Sequence, residues 1–219
     1  MPGFLVMVGG KLSQLYAQGL SCIKRDRLLF DNLELLVESG QMLVVTGPNG
    51  AGKTSLLRIL SGLAAPEEGT VYWGKQDISE DITEYASNLI YIGHKLGFSA
   101  NLTALENIQF WLQQRGLQKS NDDILDVLDG LALVGMEDVL VRQMSAGQQR
   151  RVALAKLWLA PAPLWILDEP LTALDKIGIQ MLQSKMAEHV RNGGSIVTTS
   201  HQDFAVEITI RTLELEVRW

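Results

Sequence analysis

With 219 residues, 47% of them hydrophobic, the chain has enough apolar material for one large domain or a domain with a subdomain. No stretch approaches the roughly 18 uninterrupted apolar residues of a membrane span, and the run from Phe4 to Val8 is too short for a signal-peptide core and follows no basic region. A net charge of −6 argues against nucleic acid as the main partner, and the single Cys22 forms no internal disulfide, which fits a reducing compartment.

Residues 1–14 carry no periodic pattern, and Gly9-Gly10-Lys11 reads as a lead-in. From Leu15 to Val37 apolar residues alternate loosely around the polar turn Lys24-Arg25-Asp26-Arg27, which predicts an antiparallel hairpin. The run from Gln41 to Thr46 is short, apolar and β-branched, the pattern of a buried strand. Behind it lies Gly47-Pro48-Asn49-Gly50-Ala51-Gly52-Lys53-Thr54, and then a helical pattern from Ser55 to Gly62. Pro66-Glu67-Glu68-Gly69 reads as a turn, Thr70 to Trp73 as a strand, and Asn88 to Ile92 as another strand ending at Gly93-His94. Composition then turns helical. Thr103 to Leu112 starts with Thr103 as N-cap and Glu106 in capping-box position, and Ser120 to Leu133 follows. Ser145 opens a long helix to about Leu159, stopped by Pro161-Ala162-Pro163. Leu164 to Asp168 reads as a buried strand, Asp175 to Asn192 as a helix, Ser195 to Thr199 as a strand, and Arg211 to Val217 as an edge strand.

Strand, glycine loop, Lys-Thr and helix form the context in which G-x-x-x-x-G-K-[ST] means a phosphate site. Gly47, Gly50 and Gly52 let backbone N–H groups curl around phosphate oxygens, with Pro48, Asn49 and Ala51 completing the loop. The helix start at Thr54 and Ser55 adds its partial positive charge. Lys53 can set an ammonium against the β- and γ-phosphates while the Thr54 hydroxyl holds Mg²⁺. The chain therefore binds a nucleoside triphosphate. Asp168 and Glu169 fall at the end of a buried strand, where open α/β sheets bind ligands. Asp168 would hold Mg²⁺ through water and Glu169 would polarise an attacking water. Ser145, at a helix start with N–H groups behind it, taken alone reads as the cap of a helix; beside the phosphate loop and the acidic strand end it reads as a second anion site.

Together these three motifs resemble the ATP-binding cassette (ABC) family of P-loop NTPases, from about Leu15 to the end of the chain. The resemblance implies a single α/β domain over residues 15–219, with a mostly parallel core sheet, an N-terminal antiparallel β part and a helical subdomain near residues 97–160. It implies ATP and Mg²⁺ as cofactors and hydrolysis of the ATP. Ser145-Ala146-Gly147-Gln148 corresponds to the family's signature, usually Leu-Ser-Gly-Gly-Gln, with Met144 for the Leu and Ala146 for one Gly. Ser145 and Gly147 of one subunit would then touch the γ-phosphate held by Lys53 of a second copy. Ala173-Leu174-Asp175 matches the loop that crosses between subunits. His201 matches the switch histidine, which acts with Glu169 and Lys53 in catalysis. His94 stands where the family has the Gln that links the metal site to the transport subunit. No aromatic falls near Lys24, where the family stacks adenine, which leaves Lys24 or Arg25.

The runs Tyr91 to His94, Leu102 to Ile108 with Phe110-Trp111, Leu157-Trp158 and Pro163 to Pro170 are similar to the branch of the family that serves cytochrome c maturation, often called haem exporters. That implies integral-membrane permease subunits as partners, no nucleic acid, and a peripheral position on the cytoplasmic face of a bacterial inner membrane. Haem enters through resemblance alone, since no Cys-x-x-Cys-His is present. The ATPase of another transporter and a soluble cassette protein stay open as alternatives. A P-loop kinase would leave the signature and His201 unexplained.

Overall fold

The structure, a computed structural model, describes residues 14–200 and 202–217. The lead-in over residues 1–13 and His201 lie outside the described residues. The first alternating stretch folds as β1 (Leu15–Lys24) and β2 (Arg27–Val37), paired antiparallel from Leu15↔Val37 to Lys24↔Arg27. Arg25 and Asp26 both take positive φ, +53° and +60°, the twist a two-residue hairpin turn demands. β3 (Met42–Thr46) opens a second sheet. β4 (Glu68–Trp73) and β5 (Gln76–Asp77) return to the first, whose order is β2-β1-β4-β5. The turn expected at 66–69 is thus shorter than its sequence suggests, because Glu68 already pairs with Ser21.

β6 (Leu89–Ile92), β7 (Leu164–Leu167), β8 (Ser195–Thr199) and β9 (Ile210–Glu214) join β3 in the order β6-β7-β8-β3-β9. Every pairing in this sheet, among the described residues, is parallel. Strands covered on both faces need apolar side chains at successive positions, which is why β3 and β7 read as unbroken apolar runs. Leu43 and Val45 face the first sheet and α1 (Lys53–Leu60), where Leu56, Leu57 and Leu60 are fully buried with Leu15 and Ala17. Met42 and Val44 face the opposite side, with Trp165, Leu167 and Ile196.

α2 (Ile82–Ser87), α3 (Ala104–Gln114), α4 (Asn121–Gly130), α5 (Ala146–Leu154), α6 (Lys156–Leu159) and α7 (Lys176–Arg191) complete the chain. Thr103 with Glu106, and Ser120 with Asp123, form capping boxes that start α3 and α4 where the sequence places them. Ile108, Leu112, Ile124, Leu128, Val152 and Leu159 form a third apolar cluster, separate from the two beside the sheet.

Five further elements differ from the sequence pattern. α1 starts at Lys53, with Gly52 as its N-cap, rather than after Thr54. α2 was not anticipated; it is a short helix capped by Asp81, and the buried Tyr85 hydroxyl donates to the Leu60 carbonyl at 2.6 Å. α4 stops at Gly130, and the chain turns through Ala132 at φ +56° instead of continuing to Leu133. The expected single helix from Ser145 to Leu159 is interrupted at Ala155. There the chain is wedged between two apolar clusters, Val152 and Leu159 packing in one and Leu154 and Leu157 in the other. β9 is an edge strand as expected, but it covers Ile210–Glu214, its pairing with β3 ending at Thr46↔Glu214.

Candidate active site

β3 delivers the chain to the glycine loop at the C-terminal edge of the parallel sheet. Gly47 has φ +132°, and a Cβ there would run into the Leu215 carbonyl, so no other residue fits the position. Leu215 N–H also donates to the Thr46 carbonyl at 2.9 Å, fixing the loop's base. α1 follows with no side-chain cap at Gly52, which leaves its first-turn N–H groups to a ligand rather than to a capping hydroxyl. Lys53, 8% exposed, curls back so that Nζ donates to the Gly47 carbonyl at 2.6 Å and the Pro48 carbonyl at 3.2 Å. Ser55 lies one turn-position inside α1, half-buried.

β7 ends beside this loop, with β8 between it and β3. Asp168 is 2% exposed and both its carboxylate oxygens are held: Oδ2 accepts from Thr54 Oγ1 at 2.9 Å, and Oδ1 from Thr199 Oγ1 at 2.8 Å. Thr199 Oγ1 in turn accepts the Glu169 N–H at 2.8 Å. Glu169 sits at φ +48°. Loop, Thr54, Asp168 and Glu169, which the sequence separates widely, are therefore one group of side chains. An adjacent hydroxyl and carboxylate are the oxygen donors that suit Mg²⁺.

Ser145 caps α5: Gln148 N–H donates to Ser145 Oγ at 3.3 Å, and Gln148 Oε1 accepts the Ser145 N–H at 2.8 Å. Gly147 packs directly on the loop after β7, where a Cβ would come within 2.7 Å of the Ala173 carbonyl. Asp175 in that loop caps α7 through Gly178 N–H at 2.8 Å and pairs with Arg151 at 2.7 Å. The Gly178 N–H first, and then Arg151, hold its carboxyl below the usual carboxylate range. Ser145, Ala146, Gly147, Gln148 and Asp175 thus form a second group.

Arg150, beside them on α5, reaches the first group. Its guanidinium donates to the carbonyls of Gly93 at 3.2 Å, Asp168 at 3.0 Å and Glu169. His94 is exposed and makes no hydrogen bond to Thr54 or Asp168 among the described residues. It lines a cavity of about 490 Å³ with Lys95, Leu96, Phe98, Ala146 and Arg150. Lys24, near which the family places its adenine-stacking aromatic, lies at the exposed end of the β1–β2 hairpin. Thr199 and Arg150 carry no role in the sequence reading. Their only signal there is position, a Thr closing a buried strand and an Arg inside the signature helix.

A match to the family described as ABC transporter covers residues 30–172. A protein of Idiomarina loihiensis named cytochrome c biogenesis ATP-binding export protein CcmA is 49% identical over 206 residues, 93% of each chain. Its namesake in Haemophilus influenzae is 46% identical, over 87% of this chain and 90% of that one. Among solved structures, an ATP-binding subunit of an ABC transporter superposes with a TM-score of 0.83 at 23% identity, covering 94% and 88% of the two chains. A dimeric ATP-binding cassette in a post-hydrolysis state, bound to ADP and Pi, gives 0.80 at 22% identity over 94% and 97%.

Proposed function

The chain belongs to the ABC transporter family, whose members hydrolyse ATP, and from that premise we propose that it is the ATPase subunit of a membrane complex for haem export or delivery in cytochrome c biogenesis. One observation carries the reading. The Thr54–Asp168 hydrogen bond joins the phosphate loop to the acidic strand end, in a chain 49% identical to a cytochrome c biogenesis ATP-binding protein.

Hydrolysis needs little covalent help from the protein and much positioning. The loop from Gly47 to Thr54, with Ser55, wraps the phosphates with N–H donors, and Lys53 turns from the loop carbonyls to the β- and γ-phosphates. Thr54 and Asp168 would hold Mg²⁺, which neutralises charge on those phosphates when bound. Glu169 takes the proton side of the attacking water. His201, which matches the family's switch histidine, would act with Glu169 and Lys53 in catalysis, and His94 would relate the metal site to the partner.

Ser145, Ala146, Gly147 and Gln148 complete the site of a second copy across a dimer, with Asp175 at the crossing. Integral-membrane permease subunits of the cytochrome c maturation system dock at the cavity beside His94, at the edge of the helical part near residues 97–160. No described helix is long and apolar enough to cross a membrane. The naming of the CcmA relatives supports a peripheral position on the cytoplasmic face of a bacterial inner membrane, with the partners doing the transport.

The test is turnover of the full-length chain with its permease subunits. Lys53→Ala should abolish hydrolysis and weaken nucleotide binding, while Glu169→Gln should bind ATP normally and lose about 10²-fold or more in rate. Unchanged turnover of Lys53→Ala sinks the site, and normal cytochrome c maturation in cells carrying Glu169→Gln sinks the process.

A further inference from the structure

Glu169 carries its carboxyl on a backbone that an L-residue rarely adopts, at φ +48° and directly before Pro170. Such a conformation persists where its neighbours over-determine it. Two side chains do so. Thr199 takes the Glu169 N–H, and on the far side of the residue the Glu169 carbonyl accepts from Arg150 Nη2. The same nitrogen reaches the Asp168 carbonyl at 3.0 Å, and Nη1 reaches Gly93 at 3.2 Å. A planar fork with fixed donor directions lets one side chain hold three carbonyls at once; an ammonium on a flexible stem does not. Arg150 is 4% exposed, and all three acceptors are neutral. Burial lowers the guanidinium pKa, and the Asp168 and Glu169 carboxylates act against that fall.

The three carbonyls follow two neighbouring strands, β6 and β7, which the Asp168 N–H already joins by donating to the Ile92 carbonyl at 2.8 Å. Asp168 and Glu169 end β7, whereas Gly93 begins the segment that runs through His94, Leu96 and Phe98 along the 490 Å³ cavity. Arg150 itself lines that cavity, and it grows from the helix that Ser145 caps. Arg150 therefore touches both the start of the cavity wall and the peptide that aims the carboxylate, across the seam between β6 and β7.

We propose that Arg150 is a positioning residue for ATP hydrolysis, holding the Glu169 peptide so that its carboxylate meets the attacking water and relaying the position of the 93–98 segment to it. The proposal rests on Glu169 as the water-polarising group. If the fork is lost, the Glu169 carbonyl keeps only the Thr172 N–H at 3.2 Å and its peptide loosens, while Thr54, Asp168 and the phosphate loop keep their own side-chain contacts. Catalysis falls and nucleotide binding does not.

Turnover of Mg-ATP is measured for the full-length chain, alone and with its permease subunits, in wild type, Arg150→Met, Arg150→Lys, Glu169→Gln and the Arg150→Met/Glu169→Gln double variant. Arg150→Met should lower kcat by roughly 10- to 10²-fold with KM for ATP within about two-fold, the loss expected of a misplaced catalytic group. Arg150→Lys should fall between, with the stimulation by permease subunits reduced. The double variant should be no slower than Glu169→Gln alone, since a carboxamide leaves nothing to aim. Wild-type kcat in Arg150→Met, or a double variant slower than Glu169→Gln together with raised KM and lowered Tm, overturns the proposal. If the methionine variant does not fold, Arg150→Lys, which keeps the buried charge, decides on the same criteria. Normal turnover of Glu169→Gln would remove the underlying reading as well. A slow Glu169→Gln beside an unimpaired Arg150→Met removes the inference alone.

Discussion

Thr199 holds both acidic residues of the site with one oxygen, donating to Asp168 and accepting the Glu169 N–H. Thr199→Val keeps the shape and removes both bonds, leaving buried groups unpartnered at a cost of about 1–3 kcal/mol. Denaturant midpoint and kcat should both fall, and Thr199→Ser should recover most of each; a valine variant with wild-type kcat would show that Asp168 needs no second anchor. Lys53, Thr54, Asp168 and Glu169 were legible in the sequence because each belongs to a motif whose meaning is local spacing. Thr199 and Arg150 were not, since their partners come from other strands and only the folded sheet brings them near. A second residue-scale feature lies away from this site. His189 stacks on Trp165 at 3.7 Å between ring centroids, and its Nε2 has no hydrogen-bond partner among the described residues. Burial pushes its pKa down to about 4, with Lys185 adding to the fall and Glu188 and the carbonyls of Ser195 and Pro163 opposing it. The native state thus refuses a proton that the unfolded chain takes below its ordinary pKa of about 6.5. Stability should drop as pH falls from about 6.5 to about 4, by roughly 3 kcal/mol from this residue. Urea titrations of wild type and His189→Phe across that range check it: the variant should show the shallower slope, and parallel curves would refute the assignment.

At the scale of elements, starts were easier to read than stops. Thr103, Ser120, Ser145 and Asp175 all cap helices where the sequence puts them, because a capping side chain acts on N–H groups two or three residues away. The interruption at Ala155 and the early end of α4 depend on what packs around them, which no short window contains. The segment 93–98 shows the same division. Phe98 packs against both apolar clusters beneath Lys156, whose Nζ lies 5.0 Å from its ring, so Phe98→Asp should unfold the region rather than probe docking. Lys95 is exposed on the same cavity wall. Lys95→Glu should leave the melting temperature near wild type, as surface changes within about 0.5 kcal/mol do, and abolish co-purification with the permease. Retained co-purification with an unchanged melt would move the docking surface elsewhere.

For the whole molecule, the two groups of site residues pose a question of completion. The phosphate loop already supplies donors within one chain, while Ser145 to Gln148 heads a capped helix that packs on Ala173 through Gly147. If the second group serves another copy's nucleotide, Glu169→Gln protein should dimerise with ATP and not with ADP in light scattering. Mixing Ser145→Arg with Lys53→Ala chains in an otherwise hydrolysis-competent background should restore part of the activity, because one of the two sites in the mixed dimer keeps both Lys53 and Ser145. A chain that stays monomeric at high concentration with ATP, and turns over at a rate independent of its own concentration, contradicts a composite site. Sheet order was legible only in part. Alternation and apolar runs distinguish the antiparallel from the parallel strands, yet nothing local says that β8, late in the chain, separates β7 from β3.

The carbonyl of Leu215 that closes on Gly47 has a consequence in time. The chain is made from its N-terminus, so the phosphate loop is synthesised well before the wall behind it, which is built from β9 and Leu215. Until those residues have left the ribosome, Gly47 has nothing to lean on and Thr46 lacks the N–H it will accept. The nucleotide pocket is thus closed by residues synthesised long after its loop, and until they arrive a nascent chain carries a loop already made with no firm wall behind it.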